Sequence, residues 1–500
     1  MKAKTFFYVK KIVQLFGTAV LSIMFFVSSG GTAIKAQTLN HLTDSFKSSN
    51  YDFPEITVNI NENPSPGFIF ISNFPLSAGV NYTPYLMILK PDGTPWFYRE
   101  MSAGLNLDFK LQPNGVYTYF DYDAKKFYAL DTATFMVVDS FTCSSNYTGD
   151  EHELRILDNG NYLLLANDIR EMNLTGIVPG GKPNARVISF VIQEINPEGE
   201  VVFEWNTLDH FQITDATEGI DLTGFVVDWV HCNAIEVDYD GNLLLSSRYL
   251  DEITKIDRNT GEIIWRMGGK MCKNNQFRFI NDSTEDFFGF SHQHAIRRLP
   301  NGHITLLDNG NLKNPQFSRA VEYELDEENK TATLVWQFRH NPDIYTNSMG
   351  YVQRLENGNT IIGWGENENA VAVSEVTPGG EVVYEMSLPE KQYSYRAYKF
   401  NILHTGINEA VANDDALELF PNPVRNELNI RYRIERPGDV SLTVYPVSGR
   451  NTQVIINNYM SPGFYQMKIN REDIEGSGIH YVQLRTRYRT VTKKVMLLEN

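Results

Sequence analysis

Two short phrases recur along most of this 500-residue chain, and their recurrence restricts the fold more than any other feature. The first is an Asn-Gly or Asp-Gly turn followed by an apolar run. It stands at Asn114-Gly115, Asn159-Gly160, Asp240-Gly241, Asn301-Gly302 and Asn357-Gly358, with runs such as Tyr162-Leu163-Leu164-Leu165 after it. Both turn residues tolerate the positive φ of tight hairpins. The second phrase is a Gly turn leading into β-branched residues and an aromatic. It runs from Gly93 to Tyr98, Gly199 to Trp205, Gly261 to Trp265 and Gly380 to Tyr384, with Thr333-Leu334-Val335-Trp336 as a turn-poor copy. The first-phrase glycines are 45, 81, 61 and 56 residues apart. A four-stranded propeller blade takes about 40–45 residues, so these spacings read as blades with insertions. Helical periodicity is nearly absent. A two-sheet sandwich also has many short strands, but it does not need one phrase five times. The expectation is an all-β chain whose residues 51–405 form a β-propeller of about six blades.

The two ends of the chain read differently. Lys2, Lys4, Lys10 and Lys11 precede an apolar run from Ile12 to Val27, and small residues follow up to Ala36. That order reads as a secretory signal peptide over residues 1–36. The run contains Gln14 and Gly17 and falls short of the roughly 20 apolar residues of a spanning helix. No later stretch is apolar for long enough, so the mature chain is expected to lack a transmembrane segment. Residues 406–416 are small and polar, a linker. After it come alternating strands: Leu428, Ile430 and Tyr432, then Val440, Leu442 and Val444, then Gly463-Phe464-Tyr465 and Ile479 to Leu484. This reads as a small seven-strand C-terminal β-sandwich over 417–500. Leu417 to Pro423, a Ser448-Gly449-Arg450 turn, Gly478-Ile479-His480-Tyr481-Val482 and the closing Lys493-Lys494-Val495 together resemble the C-terminal sorting domain of the type IX secretion system of Bacteroidetes. The resemblance implies the type IX machinery as partner and a secreted or outer-surface location.

Charge narrows the partners. Asp plus Glu is 61 against 44 Lys plus Arg, and the first 36 residues hold five of the Lys and no acid. A body this acidic argues against nucleic acid, whose phosphates need clustered cations. Cys143, Cys232 and Cys272 allow at most one disulfide and match no zinc spacing, so burial is their expected role.

Histidines carry the chemical signal. His152, His231 and His294 stand 7, 9 and 7 residues before Asn159, Asp240 and Asn301. Equivalent places in successive blades surround one axis, so the register points all three at one channel mouth, with Arg319 nearby. Imidazole can serve as nucleophile, base or charged donor, and a guanidinium fork suits sulfate or phosphate oxygens. The rival reading is a metal held by the three His with Asp150, Glu151 or Glu153 alongside. The other histidines, His41, His210, His303, His340, His404 and His480, show no such register.

At these residues the sequence is similar to the arylsulfotransferase family, the bacterial aryl-sulfate sulfotransferases that do not use phosphoadenosine phosphosulfate. The similarity runs from Pro66 to Arg396. It rests on Asp150-x-His152-Glu153-Leu154, Trp229-x-His231-x-Asn233, Ser246-Ser247-Arg248, Gln293-His294-x-Ile296, Asp308-Asn309-Gly310 and Ser318-Arg319-Ala320-Val321-Glu322-Tyr323. It implies transfer of a sulfuryl group from an aryl sulfate to a phenol through a sulfated His, with no metal and no cofactor. It assigns catalysis to His231, His294 and Arg319, and substrate contacts to His152, Asn233, Arg248, Asn309, Ser394, Tyr395 and Arg396. In the family the nucleophilic His precedes a Tyr-Arg-Ala phrase. Here that phrase is Ser394-Tyr395-Arg396-Ala397, so Ser394 stands in the nucleophile's place and His231 or His294 is expected to take its role. The alternatives are a propeller that binds an anionic or aromatic ligand without turnover, and a metal-dependent propeller enzyme.

Overall fold

The computed structural model describes residues 53–402 and 417–498, apart from 78, 102–103, 133–134, 145, 285, 435, 447–451 and 487–489. The signal-peptide and linker assignments, with His41 and His404, lie outside the described residues.

Each repeated phrase has a fixed place. The Asn/Asp-Gly turns join the first and second strands of a four-stranded antiparallel sheet, as at Leu157, whose carbonyl accepts from the Gly160 amide at 2.9 Å. The Gly turns join the third and fourth strands, as where the Gly261 amide donates to the Asp257 carbonyl. Gly160 takes a φ of 85°, where a side chain would be strained. The second sheet is Asn106–Leu111, Val116–Asp121, Lys126–Asp131 and Val137–Phe141; the third is Thr148–Ile156, Tyr162–Met172, Ala185–Ile195 and Val201–Asn206. The fourth is Cys232–Val237, Leu243–Ser247, Glu252–Ile256 and Ile263–Gly268; the fifth is His294–Arg298, Ile304–Asp308, Arg319–Asp326 and Thr331–Arg339. The sixth is Tyr351–Arg354, Thr360–Gly363, Val371–Val376 and Val382–Ser387.

The first sheet explains why the Asn/Asp-Gly phrase is missing there. Its innermost strand, Tyr398–Phe400, comes from the far end of the propeller segment and pairs with Phe68–Ser72; Tyr85–Leu89 and Pro95–Glu100 complete it. Reciprocally, Thr57–Asn61 adds a fifth strand to the outer edge of the sixth sheet. Both ends of the segment are therefore stitched into sheets made mainly by the other end. Neighbouring inner strands contact one another around a ring, from the second sheet through the sixth and back to the first. This is a propeller.

Apolar cores lie between consecutive sheets. Ala234, Leu244 and Ile253 of the fourth pack with Ile296, Leu306 and Val321 of the fifth, and Leu307 and Ala320 of the fifth pack with Val352 and Ile362 of the sixth. Each fully buried aliphatic side chain stabilises by about 1.5–3 kcal/mol. The axis instead carries charge. Glu153 accepts from Lys110 at 2.8 Å and from Arg297 at 2.7 Å, with Arg396 at 3.4 Å. Arg396 also reaches Asp108 at 3.1 Å. Burial pushes the Glu153 carboxyl up, but Arg297, Arg396 and Lys110 overrule it and hold the group well below the usual carboxylate range.

Residues 417–498 form a separate pair of sheets over their own core of Leu428, Ile430, Val440, Leu442, Val482 and Val495. One sheet orders Leu417–Phe420, Glu427–Ile434 and Gly463–Asn470; the other orders Gln453–Met460, Gly438–Pro446, Gly478–Thr486 and Thr490–Leu497.

Candidate active site

The register of the three histidines brings them to one end of the channel. His152 lies within the inner strand of the third sheet, His231 immediately precedes that of the fourth, and His294 opens that of the fifth. The His152 and His231 rings stand 4.9 Å apart, centroid to centroid. Tyr249 lies 4.9 Å beyond His231, and His292 lies 5.8 Å beyond Tyr249. Phe190 faces both His152 and His231, at 6.2 and 6.0 Å. Tyr395 faces His152 at 5.7 Å.

Every imidazole here is held at Nδ1. Asp150 Oδ1 takes that atom of His152 at 2.6 Å, Asp228 Oδ2 that of His231 at 2.6 Å, and Asp251 Oδ1 that of His292 at 3.0 Å. For His294 the partner is Asn309 Oδ1 at 2.8 Å. A carboxylate only accepts, so the Asp-backed Nδ1 atoms carry protons and Nε2 is the reactive edge. His231 and His292 reach these positions with φ of 45° and 53°, a left-handed conformation that costs a side-chain-bearing residue about 1–3 kcal/mol. Such outliers concentrate at functional sites. Sequence reasoning singled out Asp150 only as a candidate metal ligand and family-motif residue, not as an imidazole partner, and missed Asp228, Asp251, Tyr249 and Phe190. The signal for two of the Asp was local, in Asp150-x-His152 and Asp228-x-x-His231, whereas Asp251 is 41 residues from His292.

The environments push two of the imidazoles in opposite directions. Burial alone would lower His152, but the Asp150 carboxylate overrides it and lifts the group to about 9. Burial, with the nearby Arg248 cation, holds His294 well below its ordinary value. At neutral pH His152 is a cation and His294 is neutral. His294 Nε2 accepts from the Met349 amide at 3.2 Å, a long bond.

Of the three candidate arginines, Arg319 and Arg248 separate first. Arg319 is buried and donates to Asp308 and Asp282 at 2.9 Å, to Gln337 at 2.8 Å and to the Gly289 carbonyl at 2.9 Å. This is an ion-pair cluster inside the fifth sheet, and no imidazole contact of Arg319 is present among the described residues. Arg248 is also buried, yet it has no carboxylate partner among the described residues. One of its terminal nitrogens donates to the Asn347 carbonyl at 2.9 Å, its Nε has no partner, and it lies over the Tyr249 ring. A buried cation without a counter-charge is costly unless an anion joins it.

The remaining expected residues divide likewise. Asn309 holds His294 and donates to the Thr346 and Met349 carbonyls. Asn233 donates to the Gln293 carbonyl at 2.7 Å and leaves its side-chain oxygen unpaired, as Tyr395 leaves its hydroxyl. Arg396 is spent on Asp108, Glu153 and the Asn233 carbonyl. Ser394 is engaged with backbone: its hydroxyl donates to the Arg396 carbonyl at 2.6 Å and accepts from the Ser72 amide at 3.3 Å. The donor atoms of Asp150, Glu151 and His152 lie within 4.8 Å of one another, a grouping of metal-ligand type, but the Asp150 oxygens already serve His152 and Asn167. Cys143, Cys232 and Cys272 are buried and unpaired.

Residues 60–399 match the family described as Arylsulfotransferase (ASST). The chain belongs to the arylsulfotransferase family. Residues 418–498 match the secretion system C-terminal sorting domain. Curated relatives include the arylsulfate sulfotransferase AssT of Escherichia coli O6:H1, 26% identical over 183 residues, and that of Lelliottia amnigena, 29% identical over 180 residues. Each match covers 30% of this chain and 30% of the relative, so the chain spans under a third of the curated relatives it matches. Among solved structures, a protein of unknown function from Bacteroides caccae superposes with a TM-score of 0.42 at 14% identity, covering 67% of this chain and 99% of that one.

Proposed function

We propose that this arylsulfotransferase-family protein moves a sulfuryl group from an aryl sulfate to a phenol through a covalent adduct on His294, and that its sorting domain delivers it outside the cell by type IX secretion. The observation that carries the catalytic reading is the pairing of a neutral, Nδ1-anchored His294 with Arg248, a buried cation lacking a carboxylate. A nucleophile must keep its lone pair at neutral pH, and an anionic substrate needs a desolvated cation beside it.

In the first half-reaction His294 Nε2 attacks sulfur and the S–O bond to the aryl group breaks. His231 enters this step protonated at both nitrogens, with Asp228 accepting from Nδ1 as its counter-charge; the leaving aryloxide takes the Nε2 proton and leaves the ring neutral for the second half-reaction. Arg248 and cationic His152 hold the sulfate oxygens, and the Met349 amide passes from Nε2 to one of them. The second half-reaction is the reverse. The acceptor phenol gives its proton to His231, its oxygen attacks the sulfuryl sulfur, and the N–S bond to His294 breaks. Phe190, Tyr249 and Tyr395 supply the aromatic walls.

The test is intact-protein and peptide mass spectrometry after mixing the protein with 4-nitrophenyl sulfate and no phenol. The expected result is a gain of one sulfuryl group on the peptide carrying His294. His294→Ala loses both adduct and turnover, while Ser394→Ala keeps both. An adduct on Ser394 or on His231 overturns the assignment. Binding of the sulfate with no release of nitrophenol from any variant or the native chain makes the channel a binding site only.

A further inference from the structure

The second and third strands of the third sheet run on past the sheet body as a hairpin, with residues 167–172 paired to 185–190, and Val226–Asp228 joins its edge in parallel. One face of this extension is ordinary core: Val187, Ser189 and Val227 are fully buried. The solvent side of an antiparallel ribbon is ordinarily polar. Here it is mixed: Phe190 is buried, Ile188 is half-buried against the core, and apolar Ile169 and Val226 stand exposed beside polar neighbours. Its rows, read outward from the site, begin with Asn167 opposite Phe190, the ring that faces His152 and His231. The next row is Ile169, Ile188 and Asp228, and Asp228 is the carboxylate that holds His231. The third row is Glu171, Arg186 and Val226. Ile169 is 39% exposed and Val226 57%.

We infer that this face is a substrate shelf, and that the aromatic substrates of the site carry an apolar extension which lies along Phe190, Ile188, Ile169 and Val226. The inference rests on the sulfuryl-transfer reading for the identity of the reacting end, since the shelf starts at the rings that flank His231. At about 3.3 Å per residue, successive rows stand about 7 Å apart. The shelf therefore reaches about 7–13 Å past Phe190, the length of a second ring or of a short alkyl chain. Arg186 and Glu171 close its far end, which suits an extension that ends there or returns to water. A compact phenol fills the site and leaves the shelf in water.

Calorimetric titration with phenol and with 4-heptylphenol tests the shelf without requiring turnover. Each methylene taken out of water is worth about 0.8 kcal/mol, so covering a few of them makes heptylphenol bind at least about tenfold more tightly than phenol. The Ile169→Asp/Val226→Asp variant changes two exposed positions. It is expected to cut that preference to within about threefold, with phenol affinity unchanged and a native melting temperature. The milder Ile169→Ala/Val226→Ala pair gives an intermediate preference and covers the case in which the Asp pair folds poorly. Equal preference in native protein and variants, or no preference in the native chain, overturns the shelf. Transfer from 4-nitrophenyl sulfate to plain phenol, measured alongside, concerns only the reacting end. Its absence defeats the sulfuryl-transfer reading while the titration still decides the shelf.

Discussion

Arg248 follows an apolar run in the sequence and Arg319 opens one, and their surroundings differ in the fold. What separates them is the company of carboxylates: Asp308 reaches Arg319 from the adjacent strand of the fifth sheet and Asp282 from the loop segment before it. Arg319→Lys keeps a charge but loses the fork, leaving Asp282, Gln337 or the Gly289 carbonyl unsatisfied. We expect it to cost about 1–3 kcal/mol of stability, read in a thermal or denaturant melt, with little change in turnover per folded molecule. Arg248→Lys is expected to do the opposite: a melt within about 1 kcal/mol of native and a fall in kcat/KM for aryl sulfate of tenfold or more. His152 gives the pH dependence. Its folded pKa, about 9, stands above the ordinary 6.5 because Asp150 faces it. The ion pair is therefore fully formed below 6.5 and is lost as pH rises through about 9. KM for the anionic donor should climb over that upper range, and His152→Gln should flatten the climb while raising KM at neutral pH. These pairings were only half legible in the sequence. Asp150 and Asp228 sit beside their histidines, but Asp251 meets His292 only through tertiary packing, and Ser394 is captured by the backbone of Arg396 and Ser72.

At the scale of elements, legibility follows from how local the cause is. An Asn-Gly turn acts through the φ its residues accept, so five such turns could be found without any tertiary knowledge, and each proved to join a first strand to a second. The long interval between Gly160 and Gly241 was equally readable as an insertion, but not its content. It holds the extended hairpin, a one-turn helix at Thr207–His210 and the added strand Val226–Asp228. No local propensity announces that a hairpin will leave its sheet and stand beside the clustered imidazoles. The axis was illegible for a related reason. Lys110, Glu153 and Arg297 come from the inner strands of three different sheets and Arg396 from the segment leading into a fourth, and each alone reads as a surface charge. Their burial makes sense only together, because a buried ion left without its partner costs about 3–5 kcal/mol. The same network fixes the inner strands that present His152 and His294.

For the whole molecule, the decisive element is the short strand Tyr398–Phe400. It makes the first sheet complete, and the segment leading into it supplies Tyr395 to the site and Arg396 to the axial network. The sorting domain, by contrast, carries a core of its own. Two truncations therefore separate folding from delivery. A chain ending at residue 405 keeps the closing strand, so we expect a cooperative melt close to that of the full chain and unchanged turnover of 4-nitrophenyl sulfate. A chain ending at residue 392 loses the strand and leaves the edge of Phe68–Ser72 unpaired. It also strands Asp108 and Glu153 without Arg396, and is expected to lose several kcal/mol, enough to unfold most domains of ordinary stability. Both chains lack residues 418–498, so neither should appear outside cells of a host that carries type IX secretion. The 405-residue form should accumulate inside them, folded and active on lysis, whereas the 392-residue form should be degraded. Fractionation with an activity assay on each fraction reads all of this at once. Extracellular activity from the 405-residue chain would show that the sorting domain is dispensable for export, and a stable, active 392-residue chain would show that the ring does not depend on its closing strand.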